Sequence, residues 1–118
     1  MIKAVKINND GMLCISAGSD HTIRLWDVGL RKCLKVIGDE RRLKQAYPFH
    51  KDSIWTFDTS SDFNFIYTGG RDGHIFKVSI IEGVSEQILV GDKAFPIISL
   101  KLDEKNNQLW YSTPSSTF

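Results

Sequence analysis

Apolar residues along this chain fall in short runs bounded by Gly, Asn, Asp and Ser. No window holds a 3.6-residue period with end caps over the ~10–12 residues that a helix needs. Ile2 to Ile7 leads into the turn Asn8-Asn9-Asp10-Gly11. Leu13 to Ala17 follows, then a tight turn from Gly18 to His21, then Ile23 to Val28 and Cys33 to Ile37. A second series predicts strands at Ile54 to Thr59, Phe65 to Thr68, His74 to Ile80 and Ser85 to Val90. The pattern predicts an all-β protein.

The two series are copies. Setting Asp20 over Asp72, an offset of 52, also superimposes Gly18 on Gly70, Ser16 on Thr68, Ile23 on Ile75, Val5 on Phe57 and Asp10 on Asp62. The register runs without a gap from Ile2 to Asp27 against Ile54 to Ser79. A third, incomplete copy starts at Pro96: Ile97 to Leu102 repeats Ile2 to Ile7, and Leu109 to Ser112 supplies the next strand. Such repeats usually span ~40–45 residues, and the excess falls in residues 39–49, DERRLKQAYPF, which read as a loop insertion.

Short antiparallel strands in fours cannot bury both faces alone, so they stack as the blades of a β-propeller. Weak alternation within several strands fits sheets covered on both faces by neighbours. The expected organisation is about two and a half four-stranded antiparallel blades. Residues 1–38 form one blade, 39–49 the inserted loop, 50–92 a second blade and 94–118 the start of a truncated third. Since a ring needs roughly four to eight blades, the sequence is expected to be a propeller fragment with open faces at both ends.

Composition narrows the function classes. With 42% hydrophobic and 25% charged residues among 118, the chain is an ordinary globular one. A net charge of +1 supplies no general attraction for nucleic acid or an anionic membrane. Basic residues do gather at Arg31, Lys32, Lys35, Arg41, Arg42 and Lys44, against Asp39 and Glu40, where a solvated loop competes with a nucleic-acid contact. Cys14 and Cys33 form neither a disulfide framework nor a metal site, and the three His are scattered, so a reduced thiol pair and no metal or cofactor are expected. There is no apolar run long enough to span a membrane and no signal peptide, which points to cytoplasm or nucleus. A Gly-rich phosphate loop, metal-ligand spacing and a nucleophile motif are all lacking, so an enzyme is not expected.

The string from Ser16 to Asp27, SAGSDHTIRLWD, resembles the WD-repeat signature. In that family a hydrogen-bonded His, Ser/Thr, Asp and Trp set braces each blade. The resemblance assigns Ser16, Asp20 and Trp26 to the brace of the first blade, whose His would precede Met1. It assigns His50, Thr68 and Asp72 to the second, where Val78 stands in place of the Trp. A hydrolase triad of His50, Asp72 and Thr68 is the competing assignment, but each residue sits at a bracing position.

The residue before each turn Asp, Ser19 or Arg71, is expected on the rim of the ring, as are Lys3, Trp55 and Ile98 at the starts of the innermost strands. Trp and Arg are enriched at binding hot spots. Packing between blades is the alternative for Trp55, and plain solvated charge for Lys3 and Arg71. Over Cys14 to Cys33, Asp52 to Asp72, Ala94 to Pro96 and Leu109 to Thr117, the chain is similar to WD-repeat propellers that activate ubiquitin-specific proteases. That likeness implies a non-catalytic scaffold on which a protease's fingers region docks, through Lys3, Trp55 and Arg71 with weaker roles for Ser19 and Ile98. Ubiquitin-conjugated substrates would be secondary partners, and residues 39–49 have no counterpart in those proteins. A general adaptor, such as a ubiquitin ligase substrate receptor, would use the same fold.

Overall fold

The repeat of the sequence becomes a repeat of sheets. In the computed structural model, which describes residues 1–38, 49–82 and 84–114, β1 (Ile2–Ile7), β2 (Leu13–Gly18), β3 (Ile23–Asp27) and β4 (Lys32–Ile37) form an antiparallel sheet in the order β1-β2-β3-β4. The strands β5 (Ile54–Thr59), β6 (Phe65–Gly70), β7 (Ile75–Ser79) and β8 (Val84–Leu89) form a second sheet in the same order. Two further strands, β9 (Ser99–Asp103) and β10 (Gln108–Ser112), begin a third. All pairings are antiparallel, as expected of a meander joined by tight turns.

The turns repeat in register as well. Left-handed backbone occurs at Gly11 and its counterpart Phe63, and at Gly73 and its counterpart His21, where φ is 78° and 55°. Strand ends differ from the sequence expectation by a residue or two. The larger difference is in the third copy, where regular pairing starts at Ser99 and not at Ile97. The Ile97 amide donates to the Gly70 carbonyl of the second sheet at 2.9 Å, so this residue belongs to the junction between sheets.

Packing explains the weak alternation. Ile15, Ala17, Ile23 and Ile37 of the first sheet share one core with Ile54, Phe57, Ile66 and Val78 of the second. The opposite face of the second sheet meets the third through Ile75, Ile97 and Leu100, with Tyr67, Leu89 and Leu109 beside them. Equivalent residues therefore have different fates. Ile2 and Val5 on β1 are 63% and 58% exposed, whereas Ile54 and Phe57 on β5 are 0% and 8% exposed, and Ile97 and Leu100 are 1% and 6% exposed. Thus Phe57→Ala is expected to cost about 3–5 kcal/mol, while Val5→Ala should stay within about 0.5 kcal/mol. Urea midpoints of the two variants measure the contrast.

Two adjacent glycines set how closely elements approach. A Cβ at Gly70 would stand 2.1 Å from the Ser53 carbonyl oxygen, and one at Gly69 would stand 2.5 Å from the Ile97 side chain. Ile97 is therefore seated on bare backbone. Gly69→Ala should push it out, lowering stability by about 1–3 kcal/mol and exposing its amide to faster hydrogen exchange than in the wild type.

Of the predicted insertion, residues 39–48 lie outside the described residues. Phe49 is described, and it is not loop-like in its contacts. Its ring lies 5.1 Å from His50 and 5.5 Å from Phe76, and it presses on Gly38, where a Cβ would come within 2.6 Å. The two flanks of the insertion thus meet.

Candidate partner-binding rim

The pairing of β1 with β2 breaks register between Ile2 and Ala4, and that of β5 with β6 breaks at the equivalent place, between Ile54 and Thr56. Lys3 and Trp55 are the extra residues of these two bulges. A bulge leaves one residue outside the ladder and re-aims its side chain. Lys3 is exposed and Trp55 half-buried, while Ile54 and Phe57 on the strand of Trp55 go into the core.

Ser19 and Arg71 reach the same rim by backbone bonds. The Ser19 amide donates to the Met1 carbonyl at 2.9 Å, and the Arg71 amide to that of Ser53 at 3.0 Å, two residues before Trp55. The Arg71 side chain is 63% exposed, and its nearest carboxylate is Asp52 at 3.9 Å, a loose pairing in solvent. The Ser19 hydroxyl is less available, since it donates to the Met1 carbonyl at 3.2 Å. Ile98 is 49% exposed at the start of the third inner strand, next to buried Ile97. All five predicted rim residues therefore sit at one end of the sheets, on three neighbouring blades. Beside Arg71's partner Asp52, a cavity of about 470 Å³ opens on the same end, lined by Phe49, Lys51, His74, Phe76 and Lys93.

Below the rim lie the braces. In the second blade His50 Nδ1 is 2.8 Å from Asp72 Oδ2, and His50 Nε2 is 2.9 Å from Thr68 Oγ1. A carboxylate can only accept, so Nδ1 carries the proton donated to Asp72, and in the neutral ring Nε2 accepts from the Thr68 hydroxyl. Asp72 also accepts from the His74 amide at 3.0 Å. Burial pushes the Asp72 carboxyl up, but the bond and charge of His50, with the His74 amide and charge, outweigh it and hold the group below its ordinary value. The three side chains have the connectivity of a nucleophile, base and orienting acid. Thr68, however, is 0% and His50 2% exposed, so no substrate carbonyl can reach the hydroxyl. The set holds strand to turn. Val78, in the place of the Trp, is fully buried in the core.

The first blade is braced differently. Trp26 Nε1 donates to Ser16 Oγ at 3.0 Å. Asp20, which the resemblance placed in the brace, does not join them: its side chain is 56% exposed. With no imidazole over it like His50, it caps its own turn, accepting from the Thr22 amide at 3.2 Å and hydroxyl at 2.9 Å. Burial raises the Asp20 carboxyl, yet these bonds and the charges of Arg24 and His21 leave it net lowered.

The basic cluster does not form one surface in the described chain. Lys35 Nζ is committed to the carbonyls of Ile80 and Ile81 in the next blade. Arg31 and Lys32 are exposed at the opposite end from the rim, and Arg41, Arg42 and Lys44 lie outside the described residues. Cys14 and Cys33 are free and flank Trp26 on β2 and β4, two strand spacings or about 10 Å apart, too far for a disulfide. Burial raises the Cys14 thiol. Among the described residues no group of three or more His, Cys, Asp or Glu could hold a metal ion.

Sequence reasoning missed Asp58. Its side chain is 9% exposed and lies between Lys6 of the first blade, at 2.7 Å, and the Leu102 amide of the third, at 2.8 Å. The offset of 52 already places Lys6 and Asp58 at equivalent positions, and that opposition of charge was the available signal.

Comparisons with known proteins agree with this geometry. The sequence model described as WD domain, G-beta repeat matches residues 1–27 and 41–76, the second match beginning inside the expected insertion. Nuclear distribution protein nudF of Aspergillus niger is 32% identical over 85 residues, which is 70% of this chain and 16% of the fungal protein. Among solved structures, the RRP9 WD40 repeats superpose with a TM-score of 0.75 at 21% identity, over 93% of this chain and 32% of that one. U3-55K gives a TM-score of 0.76 at 21% identity with the same coverage. The chain thus spans about a third of these propellers and a sixth of nudF, and at this identity the structures speak for the fold alone. The family match covers more than half of the chain, and the sheets stack as propeller blades: this protein belongs to the WD domain, G-beta repeat family.

Proposed function

We propose that this chain is part of a non-catalytic scaffold whose rim, through Lys3, Trp55 and Arg71, binds and activates a ubiquitin-specific protease. WD40 domains mediate protein–protein contacts, which is the level at which the family membership speaks. The observation that carries the finer reading is the paired bulge: the same irregularity on two adjacent blades turns a Lys and a Trp out of their ladders, with an exposed Arg beside the second. The likeness to protease-activating propellers puts the protease contact on these three residue types. Ser19 and Ile98 would be peripheral, the first because its hydroxyl is engaged by the Met1 carbonyl.

A scaffold of this kind makes no bonds. It raises activity by binding the protease's competent conformation more tightly than the idle one, and the gain equals that difference in affinity. The protease and its ubiquitin-conjugated substrates would be met in the cytoplasm or nucleus. An adaptor in another complex, such as a ubiquitin ligase receptor, would use the same rim. It is favoured by the name of the curated relative, a nuclear distribution protein, which does not name a protease.

Co-purification separates the two. Trp55→Ala or Arg71→Glu, in the complete protein, should abolish recovery of the protease while leaving the fold unchanged. Unaltered recovery would remove the proposed contact.

A further inference from the structure

Lys6, Asp58 and Lys101 stand at the same repeat position on β1, β5 and β9, so three successive inner strands carry cation, anion and cation. Asp58 divides its oxygens between the neighbours. Oδ1 accepts from Lys6 Nζ at 2.7 Å and from the Thr59 amide at 2.9 Å. Oδ2 accepts from the Leu102 amide at 2.8 Å, with Lys101 Nζ 3.9 Å away. Thr56, one turn of the pleat earlier, accepts from the Leu100 amide at 3.2 Å. These are alternate amides of β9, on the edge turned away from β10, and a strand edge leaves such donors unpaired unless something covers them. Two side chains of β5 therefore act as the missing strand for β9.

The rim residues lie on these same strands. Lys3, Trp55 and Ile98 each sit three residues before Lys6, Asp58 and Lys101. We infer that Asp58 is a clasp that locks three successive blades in register and thereby positions the rim residues they carry. Its first half stands on geometry alone; its second half rests on the rim being the partner contact. Burial pushes the Asp58 carboxyl up, but the Lys6 bond, the amides of Leu102 and Thr59 and the Lys6 charge outweigh it, leaving the group below its ordinary value. The clasp's contribution is therefore complete above the ordinary aspartate value of about 3.9. It is lost as pH falls through the lowered folded value.

Hydrogen exchange on the whole chain, without partner, tests the clasp. Asp58→Ala should speed exchange of the Leu102 amide by about tenfold or more, with amides between β6 and β7 unchanged. The swap Lys6→Asp with Asp58→Lys should restore the pair between the first two blades yet leave Leu102 unprotected, because a lysine has no acceptor. Leu102 protection that survives Asp58→Ala, or that the swap restores, overturns the clasp. If Asp58→Ala does not fold, the wild type decides: Leu102 should lose protection on acidification before the strands of the second sheet, and simultaneous loss overturns the inference. Protease affinity tests the second half. Faster Leu102 exchange with unchanged affinity overturns the positioning role and keeps the clasp. Insensitivity of binding to Trp55→Ala and Arg71→Glu instead sinks the rim reading and leaves the exchange result standing.

Discussion

Replacing His50 with alanine is expected to destabilise the chain by about 2–4 kcal/mol, because two buried hydrogen bonds are lost and a buried group left unsatisfied costs about 1–3 kcal/mol. The imidazole makes two bonds, at 2.8 Å to Asp72 and 2.9 Å to Thr68, and its ring lies 4.6 Å from that of Phe76. Without it the Thr68 hydroxyl loses its partner at a site with no solvent exposure, and Asp72 keeps the His74 amide. Breaking the corresponding bond in the first blade, with Ser16→Ala, should cost only about 1 kcal/mol, the net worth of one hydrogen bond. Acid sharpens the comparison. The folded Asp72 value is lowered, so its stabilisation is present above the ordinary aspartate value and disappears as pH falls through the folded one. The difference in urea midpoint between wild type and His50→Ala should therefore narrow as pH falls below the ordinary aspartate value. A variant within 1 kcal/mol of wild type at neutral pH would show that the brace is not what holds this blade.

The second large effect concerns binding. Trp55→Ala and Arg71→Glu are each expected to weaken protease affinity by about thirtyfold or more, the scale of interface hot spots at 2 kcal/mol and above. Their kinetic signatures should differ. Trp55 supplies apolar area and sets dissociation, whereas reversing an exposed charge slows association and alters its dependence on salt. Stability should barely move with Arg71→Glu, because its pairing with Asp52 is 3.9 Å long and solvent-exposed. Trp55, half-buried, tests both alternatives that the sequence left open. A large loss of stability with unchanged binding would assign it to packing between blades.

What could be read from the sequence was whatever the chain repeats. Equal spacing of Asp20 and Asp72, and of Gly18 and Gly70, located the turns, and the turns located the strands. The rim positions followed from the same register. The bulges at Lys3 and Trp55 did not, since a register break depends on the partner strand and leaves no mark in composition. Asp20 and Asp72 look alike in sequence but differ in burial, because only Asp72 has an imidazole over it. Ile97 resembles a strand residue and is instead a plug on Gly69, a contact between copies that no local pattern announces. Asp58 was overlooked for a related reason: a single acid in a strand becomes informative once Lys6 and Leu102 are known to lie on either side of it.

The most direct test of the scaffold reading is an affinity titration of a ubiquitin-specific protease against the complete protein and its Lys3→Glu, Trp55→Ala and Arg71→Glu variants. Lys105→Glu, at the opposite end of the sheets, serves as the control. The rim account predicts weakened binding for all three rim variants, with folds intact, and wild-type affinity for the control. Equal affinity across the whole set, or loss confined to Lys105→Glu, would contradict it.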